Sequence, residues 1–121
     1  MTTSAVIHFW EDQKDEQPLG LYLHADGDTI ASDLADALKV TRSGWDDPEY
    51  ATRMVIQHIL EARGIGAEDT GSGLFVGTED RGQGNRTLNV NWGSKVVWTG
   101  EWRVPFDGYV VSPDLWEKVQ A

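Results

Sequence analysis

Apolar positions along this chain fall into two short β-prone runs, two helical stripes and then a series of alternating segments. The run Ala5-Val6-Ile7-His8-Phe9-Trp10 predicts a first strand that stops at an acidic patch over 11–17, where Gln17-Pro18 breaks the chain. From Leu19 the pattern resumes with Leu21 and Leu23 alternating against Tyr22 and His24, so the two runs predict an antiparallel hairpin with a polar loop. Ala25-Asp26-Gly27-Asp28 reads as a turn, with Asp28 as N-cap of a helix that begins near Thr29. Ile30, Leu34, Ala37 and Leu38 form its apolar stripe, Asp33 and Asp36 face solvent, and Ser43-Gly44 ends the unit. Asp47 before Pro48 starts a second helix, because proline at the first helical position loses no hydrogen bond. Its stripe of Ala51, Met54, Val55, His58, Ile59 and Ala62 ends at Gly64, and Glu49 and Arg53, four apart, are placed to pair.

Past a Gly-rich connection over 64–73, Leu74-Phe75-Val76 predicts a strand, and a polar loop over 78–85 leads to the next one. In 86–92, Leu88, Val90 and Trp92 alternate with Thr87, Asn89 and Asn91, the signature of a sheet with one buried face. Gly93-Ser94 is a tight turn and 95–99 returns as a strand. The tail adds a strand at 109–111 and a helical turn over 113–119. The predicted order, β-β-α-α-β-β-β, is that of an α+β domain: an antiparallel sheet of about five strands with two helices packed on one face. At 121 residues, with six Trp, three Tyr and three Phe, the chain suits one domain over 1–121 with a single core. It carries no internal repeat and no low-complexity segment.

Composition narrows the chemistry. The absence of cysteine removes disulfides, thiolate ligands and a cysteine nucleophile, and it fits a reducing cytoplasm. The first residues lack a basic and apolar leader pattern, and no run approaches the roughly 18 apolar residues of a membrane span, so the expected protein is soluble, cytoplasmic and without a membrane partner. A net charge of −10 opposes binding to nucleic acid, which is held through counterion release by Lys and Arg. Residues 1–49 hold eleven acids and three bases, and residues 50–121 nine and seven, so the negative field belongs to the first half.

Several constellations are candidates for function. His24, Asp26 and Asp28 lie within five residues and offer an imidazole and two carboxylates for a divalent ion or for acid–base work, although the two Asp also suit a turn and a cap. His8, on the strand paired with that of His24, forms a two-His arrangement if the register allows it, whereas His58 fits a helix stripe as a satisfied core residue. Trp45-Asp46-Asp47-Pro48 with Arg53 outlines a recognition corner at a helix N-terminus, or a cap with Trp45 as a packing staple. Trp92, Trp98 and Trp102 gather around a hairpin, where they either fill the core or anchor a partner. Gly64-Ile65-Gly66 and Gly82-Gln83-Gly84 lack the third glycine and the strand–helix setting of a dinucleotide fingerprint, and no phosphate loop or Gly-x-Ser-x-Gly elbow occurs. No catalytic residue, metal ligand or cofactor is assigned. The candidate binding residues are His24, Asp26, Asp28, Trp45, Asp46, Arg53, Trp98 and Trp102.

One ordered set of residues carries a resemblance. Leu21-Tyr22-x-His24, Gly27, Ala37-Leu38, Trp45-x-Asp47-Pro48-x-Tyr50-x-x-Arg53 and Thr70-Gly71-x-Gly73 follow one another as in a small protein family of tailed phages, prophages and plasmids of bacteria, particularly actinobacteria, and the chain resembles that family over about 6–75. The resemblance implies a phage context in a bacterial host cytoplasm and no particular chemistry. With the charge, it leads to an expected accessory protein that binds a host or phage protein with a basic surface, as an inhibitor, an anti-defence protein or a nucleic-acid mimic. Two further classes stand beside it: a small metal-dependent or acid–base enzyme built on His24, Asp26 and Asp28, and a self-associating assembly protein.

Overall fold

The computed structural model describes residues 4–11, 17–24, 29–66, 68–69, 71–77 and 86–113. Among these, strands β1 (Ala5–Trp10), β2 (Leu19–Leu23), β3 (Ser72–Val76), β4 (Arg86–Asn91), β5 (Val96–Thr99) and β6 (Trp102–Pro105) form one sheet in the order β3-β2-β1-β4-β5-β6. Helices α1 (Ile30–Val40), α2 (Pro48–Ala62) and α3 (Phe106–Val111) complete an α+β fold.

The expected hairpin is present, with β1 and β2 antiparallel and Ile7 opposite Leu21. The sheet as a whole is mixed rather than antiparallel, because β4 runs parallel to β1, with Ile7 beside Leu88 and Phe9 beside Val90. β4, β5 and β6 pair antiparallel through short turns, but β1 and β4 are separated by β2, α1, α2 and β3, so turn chemistry does not set their direction. The sheet also has six strands instead of about five. The extra one, β6, folds back on β5 through a turn in which Gly100 adopts a φ of 56°, a conformation that favours glycine. The predicted strand at 109–111 belongs instead to α3, where Phe106 and Tyr109, three apart, bury one face. The helical turn expected over 113–119 lies outside the described residues beyond Pro113.

The core forms where Ala5, Ile7, Phe9, Leu21, Leu23, Leu88 and Val90 meet the apolar stripes of the helices. The α1 stripe is as predicted, with Ile30, Leu34, Ala37 and Leu38 fully buried. Thr29 stands at its N-cap, and Asp28 lies outside the described residues. Asp33 does not simply face solvent: it accepts from Arg63 at the end of α2, at 2.7 Å, and so ties the two helices together. In α2 the buried line is Ala51, Val55 and Ile59, with Met54 and His58 half-buried and Ala62 exposed. Asp47 is the N-cap residue and Pro48 the first helical position, yet the Asp47 side chain makes no capping bond. Gly64 follows the helix at φ 68°.

The second sheet face is not the polar surface that the alternation suggests. Val6 and His8 are buried there, as is Asn91. The Trp10 indole donates to Asn89 Oδ1 at 3.1 Å, Asn89 Nδ2 donates to the Trp98 carbonyl, and Asn91 Oδ1 accepts from the Ser94 amide. Asn89, half-buried, serves an indole and a strand carbonyl, while the buried Asn91 serves a turn through Oδ1 and leaves its Nδ2 without a hydrogen-bond partner among the described residues. On the same face Phe75 lies across Gly20, where an added Cβ would come within 2.3 Å of the ring. Glycine at 20 is what lets β3 press its aromatic ring against β2.

Tyr109 ties α3 to α1 by donating to the Ala31 carbonyl at 2.7 Å. Burial pushes its phenol well above the ordinary value, and the Asp33 carboxylate adds to the effect. A phenol held neutral only in the folded state contributes stability that is intact below the ordinary pKa of 10.0 and is lost as pH rises past it. Urea unfolding between pH 9 and about 11.5 is expected to show an extra loss of about 1.4 kcal/mol per pH unit above pH 10. Tyr109→Phe, weaker at pH 8 for want of its hydrogen bond, is expected to lack that extra slope.

Candidate functional site

Among the described residues a groove of about 590 Å³ lies between the first turns of α2 and strands β1, β2 and β3. Pro48, Thr52 and Ile56, spaced four apart, give one helix face to it, with Glu49 and Arg53 at its rim. Phe9 and Glu11 reach it from the end of β1, Gln17 and Leu19 from the start of β2, and Leu74 from β3. Trp92, just past β4, closes the inner end.

Trp92 holds the groove together. Its indole N–H donates to Thr52 Oγ1 at 2.8 Å, fixing α2 to the sheet. Its rings stack on Phe9 at 9° and 6.4 Å, and meet the edge of Phe106 at 5.5 Å. Leu74, by contrast, is 58% exposed and Val76 67%, unusual for aliphatic side chains in a strand. Apolar walls with two carboxylates and one guanidinium at the rim make a surface that takes apolar side chains and orients them by charge.

The sequence candidates are dispersed. His24 is exposed at the end of β2, its Nδ1 3.4 Å from Tyr22 Oη. Asp26 and Asp28 lie outside the described residues. His8 pairs with Gly20, so the register sets it four positions from His24 along the strands, about 13 Å away. The two imidazoles do not converge. Trp45 is a core residue: its indole donates to the Leu38 carbonyl at 3.0 Å and its ring meets Phe106 at 4.9 Å, with the Arg42 guanidinium over it. Asp46 is on the surface and pairs with Lys95 at 2.9 Å. Trp98 and Trp102 occupy opposite sheet faces, since Thr99 and not Trp98 is the partner of Trp102. Trp98 packs on Trp10 at 5.9 Å, and Trp102 is 37% exposed.

Among the described residues Arg53 is the one candidate that reaches the groove, and it donates to Gln57 Oε1 rather than pairing with Glu49. Among the described residues no three His, Asp or Glu side chains are grouped closely enough to hold a metal ion, and no helix is long and apolar enough to cross a membrane. The groove residues Phe9, Leu19, Ile56, Leu74 and Trp92 come from five places in the chain, and of these the sequence singles out Trp92 alone, as one of three Trp that either fill the core or anchor a partner. One signal was present: Leu74-Phe75-Val76 is a strand without a polar face, bracketed by Gly73 and Gly77. No family model, curated protein or solved structure matches this chain.

Proposed function

We propose that this is a binding protein, an accessory protein of phage type that takes apolar side chains of a basic partner protein into the groove beside α2. The observation that carries the reading is the open apolar groove with Leu74 more than half exposed beside it, in a chain of net charge −10. Exposed apolar surface of this kind next to a defined cavity marks an interaction site, and the acidic field selects basic surfaces and speeds their approach. The lining offers hydrogen bonds and charge at its rim and no imidazole, so it suits recognition better than proton transfer.

A photo-crosslinking residue at Arg53 tests the reading, with the same residue at Asp36, exposed on α1, as control. In a bacterial host extract the expected result is one discrete adduct from position 53, lost above about 0.5 M salt, where screening shortens to a few ångströms, and none from position 36. Equal labelling from both positions, or none from 53, overturns the proposal.

A further inference from the structure

The groove is bounded by β3, the edge strand of the sheet among the described residues, and the hydrogen-bond phase of β3 determines what that edge offers. The His24 amide donates to the Gly71 carbonyl and the Gly77 amide to the Pro18 carbonyl, each at 2.9 Å. In the β2·β3 register these are hydrogen-bonded pairs, and so, two residues on, are Tyr22 with Gly73 and Gly20 with Phe75. The alternate residues Ser72, Leu74 and Val76 therefore turn their amides and carbonyls away from β2, and among the described residues no strand lies beyond them. The same three residues carry their side chains on the helix face, opposite Leu23, Leu21 and Leu19. Backbone donors, backbone acceptors and the groove wall thus belong to the same residues.

We infer that β3 accepts an extended segment of a basic partner protein as a seventh, antiparallel strand, whose alternate apolar side chains enter the groove beside Leu74. In an antiparallel pair, the residue opposite Leu74 exchanges both its backbone bonds with Leu74 and puts its side chain on the same face. Main-chain bonds then supply affinity and the groove supplies selection at every second position, as in other strand-addition complexes. The occupant is basic because Glu11 and Glu49 stand at the rim, and Glu68 and Asp69 just before β3, within a chain of net charge −10. A second copy of the chain would bring the same acids against themselves. The inference rests on the binding role proposed above and adds the mode of binding.

The probe is a nine-residue peptide, blocked at both ends, with Val-Thr-Val-Thr-Val between two lysines on either side. Binding to the full chain is read by amide exchange and by titration calorimetry at low salt. Protection is expected at the amides of Ser72, Leu74 and Val76. N-methylation of the three Val amides, which face β3, is expected to weaken binding at least about tenfold, each lost bond being worth about 1 kcal/mol. N-methylation of the two Thr amides, which face away, is expected to change it less than about twofold, and glutamates in place of the lysines to abolish it. Leu74→Pro removes an outward amide without touching the bonds to β2, so the folded variant is expected not to bind. Binding that ignores the methylation pattern overturns strand addition while leaving the groove reading intact. Absence of peptide binding together with a cross-link at position 53 does the same. A dimer in light scattering that Leu74→Pro dissociates, with no peptide binding, assigns the edge to a second copy and overturns the proposal.

Discussion

Trp92→Ala is expected to destabilise the protein by about 3–5 kcal/mol, the range for removing a fully enclosed large aromatic side chain. Trp92 is 1% exposed, and three separate contacts converge on it: the face of Phe9 in the sheet, the edge of Phe106 in α3 and the hydroxyl of Thr52 in α2. Removing the indole empties the space between the helices and the sheet and leaves Thr52 without its partner. A loss of this size consumes much of the stability of an ordinary domain, so the variant should be largely unfolded at 37 °C. Urea titration followed by circular dichroism measures it, and a loss below about 1 kcal/mol would mean that the joint repacks around the cavity. Leu74→Ala, on the β3 wall of the groove, is expected to cost under about 0.5 kcal/mol because more than half of its surface is already in water. The floor of the groove is thus tied to stability while its outer wall is free for binding.

That division also explains which parts of the structure are legible in the sequence. The β1·β2 hairpin, the α1 stripe, Pro48 at the start of α2 and Gly64 after it are all local, and each is written in a few consecutive residues. The parallel β1·β4 pairing is not, because no turn joins those strands. The tail misleads for a different reason: Tyr109-Val110-Val111 has strand composition, but burying Phe106 and Tyr109 on one side of a short helix, with the phenol on Ala31, satisfies more of the chain than an added strand. Alternation in β4 correctly places Leu88 and Val90 inside and wrongly places Asn91 outside, since a side-chain amide is buried when a turn amide supplies a partner.

The site was legible only as composition. Acidic residues and exposed apolar runs can be counted along the chain, but a groove assembled from β1, β2, β3, α2 and Trp92 exists only once the register is known. His24 with the acidic turn attracted chemistry because its residues are adjacent in sequence, whereas the groove residues are adjacent only in space. Trp98 and Trp102 show the converse: four residues apart and neighbours in sequence, they lie on opposite faces of the sheet.

Arg63→Met is expected to cost about 2–3 kcal/mol, somewhat below the 3–5 typical of breaking a fully buried ion pair. The guanidinium donates to Asp33 Oδ2 through Nε at 3.0 Å and approaches it through a terminal nitrogen at 2.7 Å, while also donating to Thr29 Oγ1 at 3.2 Å. The Arg63 and Asp33 side chains are 10% and 22% exposed, so methionine leaves a carboxylate that is poorly hydrated and has lost its counter-charge. Asp33→Asn alone leaves the arginine in the complementary position. Because each single change strands the other charge, the double variant should be less destabilised than the sum of the two, with a coupling of about 1 kcal/mol or more. Urea unfolding of all four proteins gives that coupling, and strictly additive losses would show that the two side chains contribute by packing alone. The coupling should survive 0.5 M salt, since water and ions reach this pair poorly. The Arg42–Asp107 and Lys95–Asp46 pairs, whose side chains are 54%/77% and 41%/91% exposed, are expected to show under about 1 kcal/mol and to lose it in the same salt. The difference would locate the electrostatic contribution to folding at the joint between α1 and α2, where it fixes the end of α2 remote from the groove.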